Sequence, residues 1–229
     1  MRYVITGASR GIGFEFVQQL LRRGETVDAG VRAPEMARRL EPLLHESGNR
    51  LRIHPLDVTQ ADSVKAFAAN ICREPVDVLI NNAGVQGQWV GLHELDYADL
   101  ERTFAVNALG PLRITSALLP ALRHGLGRKV AHVTSRMGSL SSNTEGGAYA
   151  YRMSKAALNM GVRSMANDLR RDGLAFVLLH PGWVRTDMGG ADAPLPPRDS
   201  VSGMLRVIDG LSLEHSGRFF DYEGTEVPW

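Results

Sequence analysis

Apolar residues along the chain fall into short runs separated by longer stretches at helical spacing. The short runs at residues 2–6, 26–31, 52–55, 76–81, 129–134 and 175–180 predict six strands, and 217–221 offers a seventh. The longer stretches at 14–23, 34–47, 63–72, 97–122, 149–171 and 200–210 predict helices. In the first of these, Phe14, Val17, Gln18, Leu20 and Leu21 share one face; in the second, Met36, Leu40, Leu43 and Leu44 do. Strands rich in Val, Ile and Leu on both faces predict a parallel sheet buried between helices. Alternation of strand and helix then predicts an α/β fold: a doubly wound parallel sheet of about seven strands with helices on both faces. Right-handed crossovers line up the carboxyl ends of the strands along one edge, where ligands bind. With no internal repeat, low-complexity tract or linker, residues 1–229 read as a single domain. The Gly- and Pro-rich stretch 189–197 is a predicted loop, either a lid over a site or an ordinary connection.

Composition narrows the partners. The 229 residues, 44% hydrophobic, suit one sizeable core. With 26 basic against 25 acidic residues and a net charge of +1, no excess field points to nucleic acid or an anionic membrane. The single cysteine, Cys72, excludes an internal disulfide and agrees with a reducing, cytoplasmic setting. Its helix-like surroundings suit a small buried side chain better than a reactive thiol. No run approaches the roughly 18 apolar residues of a membrane span, and the first strand begins too early for a secretory signal to precede it. The seven histidines show no metal-ligand spacing. His54, His132 and His180 fall on predicted strands, so they read as structural or surface residues, and no metal is expected.

Chemistry first enters at residues 4–13, Val-Ile-Thr-Gly-Ala-Ser-Arg-Gly-Ile-Gly, which follow the first strand and open the first helix. Glycines allow a tight turn and close approach of backbone amides to a phosphate, and a helix N-terminus adds free N–H groups and partial positive charge. A pyrophosphate is the expected guest, although by spacing alone Gly7, Gly11 and Gly13 also fit a structural turn. An acidic residue at the end of the second strand would hold the ribose hydroxyls of NAD. Here that strand ends Val31-Arg32, and Arg10 stands in the glycine loop. Two guanidiniums suit a 2′-phosphate, which favours NADP while leaving NAD possible; the alternative is that both are solvated surface charges. Asp28 lies too deep in the strand to reach the ribose.

Tyr151 and Lys155 stand four residues apart on one face of a predicted helix. A cation beside the phenol lowers its pKa and equips it to exchange a proton with an alkoxide. Such a pair alone is common as surface packing. Ser135, at the end of a strand, could polarise a substrate oxygen. Ser139, Ser141 and Ser142 lie further into the loop. Asn107, in an apolar helix, needs partners: a water or a backbone group near Lys155, or simply a satisfied core position. Tyr149 points away from the lysine, two residues before Tyr151. Met137, Trp89, Trp183, Met188 and the 189–197 loop are candidate walls of a partly apolar pocket for an aldehyde, ketone or quinone, or else ordinary core.

Together these pieces resemble the short-chain dehydrogenase/reductase family, a Rossmann-type fold, over nearly the whole chain. Thr6-Gly7-Ala8-Ser9-Arg10-Gly11-Ile12-Gly13 resembles its cofactor loop, and Asp57-Val58 its adenine contact. Asn81-Asn82-Ala83-Gly84 resembles its strand-four motif, where the backbone, Asn81, Ala83 and Gly84 support the cofactor. Asn107, Ser135, Tyr151 and Lys155 follow the order of its catalytic tetrad. Pro181-Gly182-Trp183-Val184-Arg185-Thr186 is similar to its Pro-Gly turn, with Val184 and Thr186 toward the nicotinamide carboxamide. The resemblance implies Tyr151 as general acid/base, Lys155 as ribose ligand that lowers the tyrosine pKa, Ser135 as the group polarising the substrate oxygen, and Asn107 as anchor of a relay water. Thr134 stands where the family often has a first serine.

Within the family, residues 134–139, 143–152 and 222–229 resemble the C-factor and sniffer-type carbonyl reductase branch. This implies an NADP-dependent oxidoreductase acting on a small-molecule carbonyl or alcohol, as monomer or homodimer. The rival is a C-factor-like signalling or redox-sensing protein that binds NAD(P) with little or no turnover.

Overall fold

A computed structural model describes residues 1–33 and 37–229. Seven strands, β1 Arg2–Thr6, β2 Thr26–Val31, β3 Leu51–Pro55, β4 Val78–Asn81, β5 Lys129–Val133, β6 Ala175–His180 and β7 Arg218–Asp221, form one sheet in the order β3-β2-β1-β4-β5-β6-β7. Every neighbouring pair is parallel. The seventh strand suggested by residues 217–221 is therefore real and pairs with β6, His180 opposite Asp221.

Each strand alternates its side chains between two cores, as the period of two requires. Tyr3, Ile5, Val27, Ala29, Val78, Ile80, Ala131 and Val133 pack with α1 Gly11–Arg22 and α7 Pro197–Asp209. Val4, Leu79, Val130, Phe176 and Leu178 face the other way. They pack against α3 Ala61–Ile71, α5 Gly110–His124 and α6 Tyr149–Asp168. Both faces are covered, which is why the strands read as continuous apolar runs.

Two predicted helices are built differently. Within residues 34–47 the chain makes a 3-10 turn, Arg38–Leu40, and a short α2, Glu41–Glu46. Pro34, Glu35 and Met36 lie outside the described residues. The predicted helix 97–122 is α4 Tyr97–Phe104 and α5 joined by a π-helical turn, Ala105–Leu109. The continuous stretch Tyr97–His124 is long and apolar enough to cross a membrane by length and composition, but half of that apolar window is buried inside the protein.

The chain runs outward from β1 through β2 to β3 and then crosses over to β4, on the other side of β1, so the winding direction reverses between β1 and β4. Loops at the carboxyl ends of these strands part there and open a crevice, the usual ligand position in such a sheet.

Candidate active site

A cavity of about 440 Å³ occupies that crevice. Gly7, Ser9, Arg10, Gly11, Ile12 and Gly13 form its floor. Gly7 is left-handed at φ 66°, and a Cβ there would lie 2.8 Å from the Ala83 Cα. Gly13 belongs to the first turn of α1, and its Cβ would fall 2.2 Å from the Gly7 carbonyl oxygen. Only glycine permits this packing of loop on helix. The first turn of α1 carries no acidic residue and no side-chain cap, so its N–H groups stay available to an anion.

The glycine loop is held from the neighbouring strand by Asn82. Its Nδ2 donates to the carbonyls of Thr6 and Gly7, both at 3.0 Å, while Thr6 Oγ1 accepts from the backbone N–H groups of Asn82 (3.1 Å) and Ala83 (3.0 Å). Asn82, Ala83 and Gly84 line the cavity. Asn81 does not. Its side chain turns into the core, donating to Thr115 Oγ1 at 3.1 Å. The residue of this pair that faces the glycine loop is therefore Asn82, one residue on from the expected Asn81, because alternate strand residues face opposite sides.

Arg32, Asp57 and Val58 line the far end with Leu56, Thr59, Arg102 and Val106. One Asp57 oxygen is committed locally, accepting from Thr59 N (2.8 Å) and Thr59 Oγ1 (2.6 Å). Asp28 is fully buried and bonds to Arg2 at 2.7 Å and His54 at 2.8 Å, away from the cavity. Burial raises its pKa, but hydrogen bonds from His54 and Arg2 and the nearby guanidiniums outweigh this and hold it low. Arg10 reaches across the opening, its Nη1 3.3 Å from Asp187 Oδ2. Pro181, Thr186, Asp187 and Met188 form that wall; Gly182 and Val184 are set back behind it. Val184 is buried and bridges to Leu195.

Tyr151 and Lys155 close the inner end of the cavity. Three consecutive left-handed residues, Gly146, Gly147 and Ala148, swing the chain into α6 so that Tyr151 lies in its first turn. Ser135, two residues past β5, caps a 3-10 turn by accepting from Met137 N at 3.2 Å, and its hydroxyl lies beside the Tyr151 phenol. Burial pushes the phenol pKa up, and the neighbouring Ser135 hydroxyl pulls it down. The expected lowering by Lys155 is not among these causes: its ammonium stands 5.7 Å from the ring centroid and donates to the Val133 carbonyl at 2.9 Å. Burial holds that ammonium at a pKa of about 8, down from 10.5.

Asn107 sits in the π turn, fully buried, and takes the backbone option. Its Oδ1 accepts from Val85 N and its Nδ2 donates to Val85 O, both at 2.8 Å, with a further bond to Ser154 Oγ at 3.0 Å. π turns cluster at functional sites because they re-aim one residue of a helix. Here the re-aimed residue ties the loop after β4 to α6, one position from Lys155.

Trp89 and Trp183 are 60% and 58% exposed, so they belong to the surface and not to a closed wall. The 189–197 stretch is tied down: Trp183 Nε1 donates to Gly189 O, Arg185 N to Leu195 O (both 2.8 Å) and Arg185 Nε to Ala193 O (3.0 Å). His132 and His180 are kept neutral by burial, at about 3 and about 4.

A glycine cradle, a free helix N-terminus and arginines at the mouth fit a phosphorylated dinucleotide, with a buried Tyr-Lys-Ser group at the other end of the crevice. Residues 2–194 match the family model for short chain dehydrogenase. The chain belongs to the short-chain dehydrogenase family. It is 74% identical to C-signal of Myxococcus xanthus over 166 residues, 72% of this chain and all of that protein. It is 38% identical to 1-hydroxy-2-glutathionyl-2-methyl-3-butene dehydrogenase of Rhodococcus sp. (strain AD45), covering 99% of this chain and 98% of that one. Among solved structures it is similar to the NADPH-bound carbonyl reductase from chicken fatty liver. The TM-score is 0.94 and the identity 36%, over 100% of this chain and 98% of that one. Carbonyl reductase Sniffer of D. melanogaster superimposes equally well, with a TM-score of 0.94 and 32% identity over 100% and 99%. The expected branch, C-factor-like and sniffer-like, is thus the one the chain falls in, and the chain is an oxidoreductase by family.

Proposed function

We propose that this short-chain dehydrogenase reduces a carbonyl compound with NADPH, Tyr151 giving its proton to the carbonyl oxygen. The observation that carries this reading is the Tyr151 phenol with the Lys155 ammonium 5.7 Å from its ring centroid, both lining the same cavity as the glycine loop, with Ser135 beside the phenol. Bound there, the nicotinamide supplies the hydride. Ser135 Oγ orients and polarises the substrate oxygen. The phenol of Tyr151, kept protonated by its burial, donates as negative charge builds on that oxygen. Lys155 holds the ribose side of the cofactor and keeps a positive charge near the phenolate that results. Asn107 fixes the loop that carries Val85, and Gly7, Gly11, Gly13, Arg10 and Arg32 receive the phosphates. NADP is favoured because Arg32, and no acid, directly follows Val31, and Arg10 stands in the glycine loop; the NADPH held by the chicken carbonyl reductase supports the same choice.

The test is NADPH oxidation over a panel of aldehydes, ketones and quinones. Tyr151→Phe is expected to lower kcat by roughly 10²–10⁴ with NADPH binding preserved. Full turnover by this variant would sink the mechanism. The 74% identity to C-signal carries a second reading, a cofactor-occupied signalling protein with little turnover. NADPH binding without oxidation across the whole panel would favour it, whereas binding alone has no use for a proton donor at the reactive end. A reducing cytoplasm and a monomeric or homodimeric state complete the proposal, the latter read by sedimentation.

A further inference from the structure

The pairing of Arg10 with Asp187 joins residues 177 positions apart, across the mouth of the cavity. Arg10 rides on the glycine loop after β1, and Asp187 follows β6. Arg32 directly follows β2, on the other side of β1 in the sheet. Arg10 therefore stands between a cation and an anion and is turned toward the anion. Its partner Asp187 lies beyond the Pro-Gly turn, on the nicotinamide wall, whereas a 2′-phosphate belongs at the end of β2.

The two loops already touch. A Cβ on Gly11 would lie 3.3 Å from the Thr186 Cγ2, which keeps the Arg10 and Asp187 loops side by side. The existing pair is easily exchanged, since the two side chains are 58% and 68% exposed and such surface pairs are weak. A phosphate dianion carries more charge than a carboxylate and accepts a guanidinium in forked geometry.

We propose that Asp187 is a specificity-determining residue: it competes with the cofactor 2′-phosphate for Arg10 and so moderates the preference for NADPH over NADH. The inference rests on the NADPH reading above. NADH has no 2′-phosphate, so Arg10 stays with Asp187 when NADH binds, and the competition touches NADPH alone.

The experiment is titration of the cofactor-free protein with NADPH and NADH, followed by nicotinamide fluorescence and calorimetry, at low and at physiological salt. Asp187→Asn is expected to tighten NADPH about two- to five-fold, the range a surface ion pair allows, and to leave NADH unchanged. The gain should shrink as salt screens the charges. In Arg10→Ala, which weakens NADPH selectively, adding Asp187→Asn should do nothing further. An unchanged NADPH-to-NADH ratio in Asp187→Asn overturns the proposal. So does equal weakening of both cofactors, which would make the pair a simple clasp. A wild-type protein that binds NADH as tightly as NADPH overturns the cofactor reading itself, before any variant is made.

Discussion

Replacing Asn107 by alanine removes more than a polar side chain. The amide makes three hydrogen bonds, two of them to the backbone of Val85 in both directions. Each bond contributes about 0.5–1.5 kcal/mol net, and a buried backbone group left unpaired costs about 1–3 kcal/mol. Asn107 is fully buried, so water reaches the vacated space poorly. A loss of about 3 kcal/mol follows, or roughly 6–12 °C in Tm for a domain of this size. Asn107→Asp is nearly isosteric and separates the terms. It still accepts from Val85 N but sets a carboxylate oxygen against Val85 O. Across Gly84, whose Cβ would lie 3.4 Å from Asn107 Oδ1 and 3.7 Å from Lys155 Nζ, the new charge would draw the ammonium. The aspartate variant should therefore shift the alkaline limb of the activity profile upward, an effect alanine cannot produce. Urea and thermal denaturation give the stability, and pH–rate profiles on one reducible carbonyl give the second effect. A Tm loss under about 2 °C for alanine would show that water takes over both Val85 contacts, and the clip between loop and helix would be refuted.

Three further outcomes follow from the same geometry. Gly13→Ala gains about 1 kcal/mol of helix propensity but places a methyl on the Gly7 carbonyl. The net expectation is about 1–3 kcal/mol of destabilisation and NADPH binding weakened at least about ten-fold, read by melting and fluorescence titration. Asp28→Asn removes the nearer and buried counter-charge of Arg2, leaving it Glu74 at 3.7 Å, and should cost about 3 kcal/mol while NADPH affinity stays as it was; a matching loss of affinity would place Asp28 at the ribose after all. The folded pKa of Lys155 is about 8 against 10.5, so between those values the folded state binds fewer protons than the unfolded one. That lysine's contribution then makes the cofactor-free protein more stable as pH rises through the window. NADPH affinity moves oppositely, weakening above pH about 8 as the ammonium is lost, and Lys155→Met should flatten that dependence in calorimetric titrations.

The sheet was legible because its strands are buried on both faces. A run such as Tyr3-Val4-Ile5 feeds two cores at once, with Val4 in one and Tyr3 and Ile5 in the other, so it leaves an unbroken apolar signal. Register and element type were less visible where two structures share one pattern. A π turn and an α turn place apolar residues on nearly the same stripe, so nothing in Phe104-Ala105-Val106-Asn107 marks the change at Ala105. What could have marked it is a polar amide inside an apolar stripe, which must find partners that a regular helix would not reach.

The site divides in the same way, between what chain-local chemistry announces and what only long-range contact creates. Glycines 7, 11 and 13, Tyr151 and Lys155 carry their roles in spacing of a few residues, and the cavity brings all five together. Asn82 was passed over for Asn81 because both stand at the end of the same strand. Only the requirement that one face the glycine loop and the other the β5 side, where Thr115 and His132 lie, distinguishes them. Arg102 and Asp187 gave no local signal at all: a charged residue on a helix or after a turn is ordinarily solvated surface. Arg102 enters the cavity one helical turn before Val106, and Asp187 meets Arg10 only because the parallel strands β6 and β1 end on the same side of the sheet. The fold's parallel order, which gathers every strand's carboxyl end on one side, thus turns unremarkable surface charges into neighbours of the cofactor. That is also why charge substitutions at this mouth should tune cofactor choice while leaving Tyr151 and Lys155 at the inner end intact.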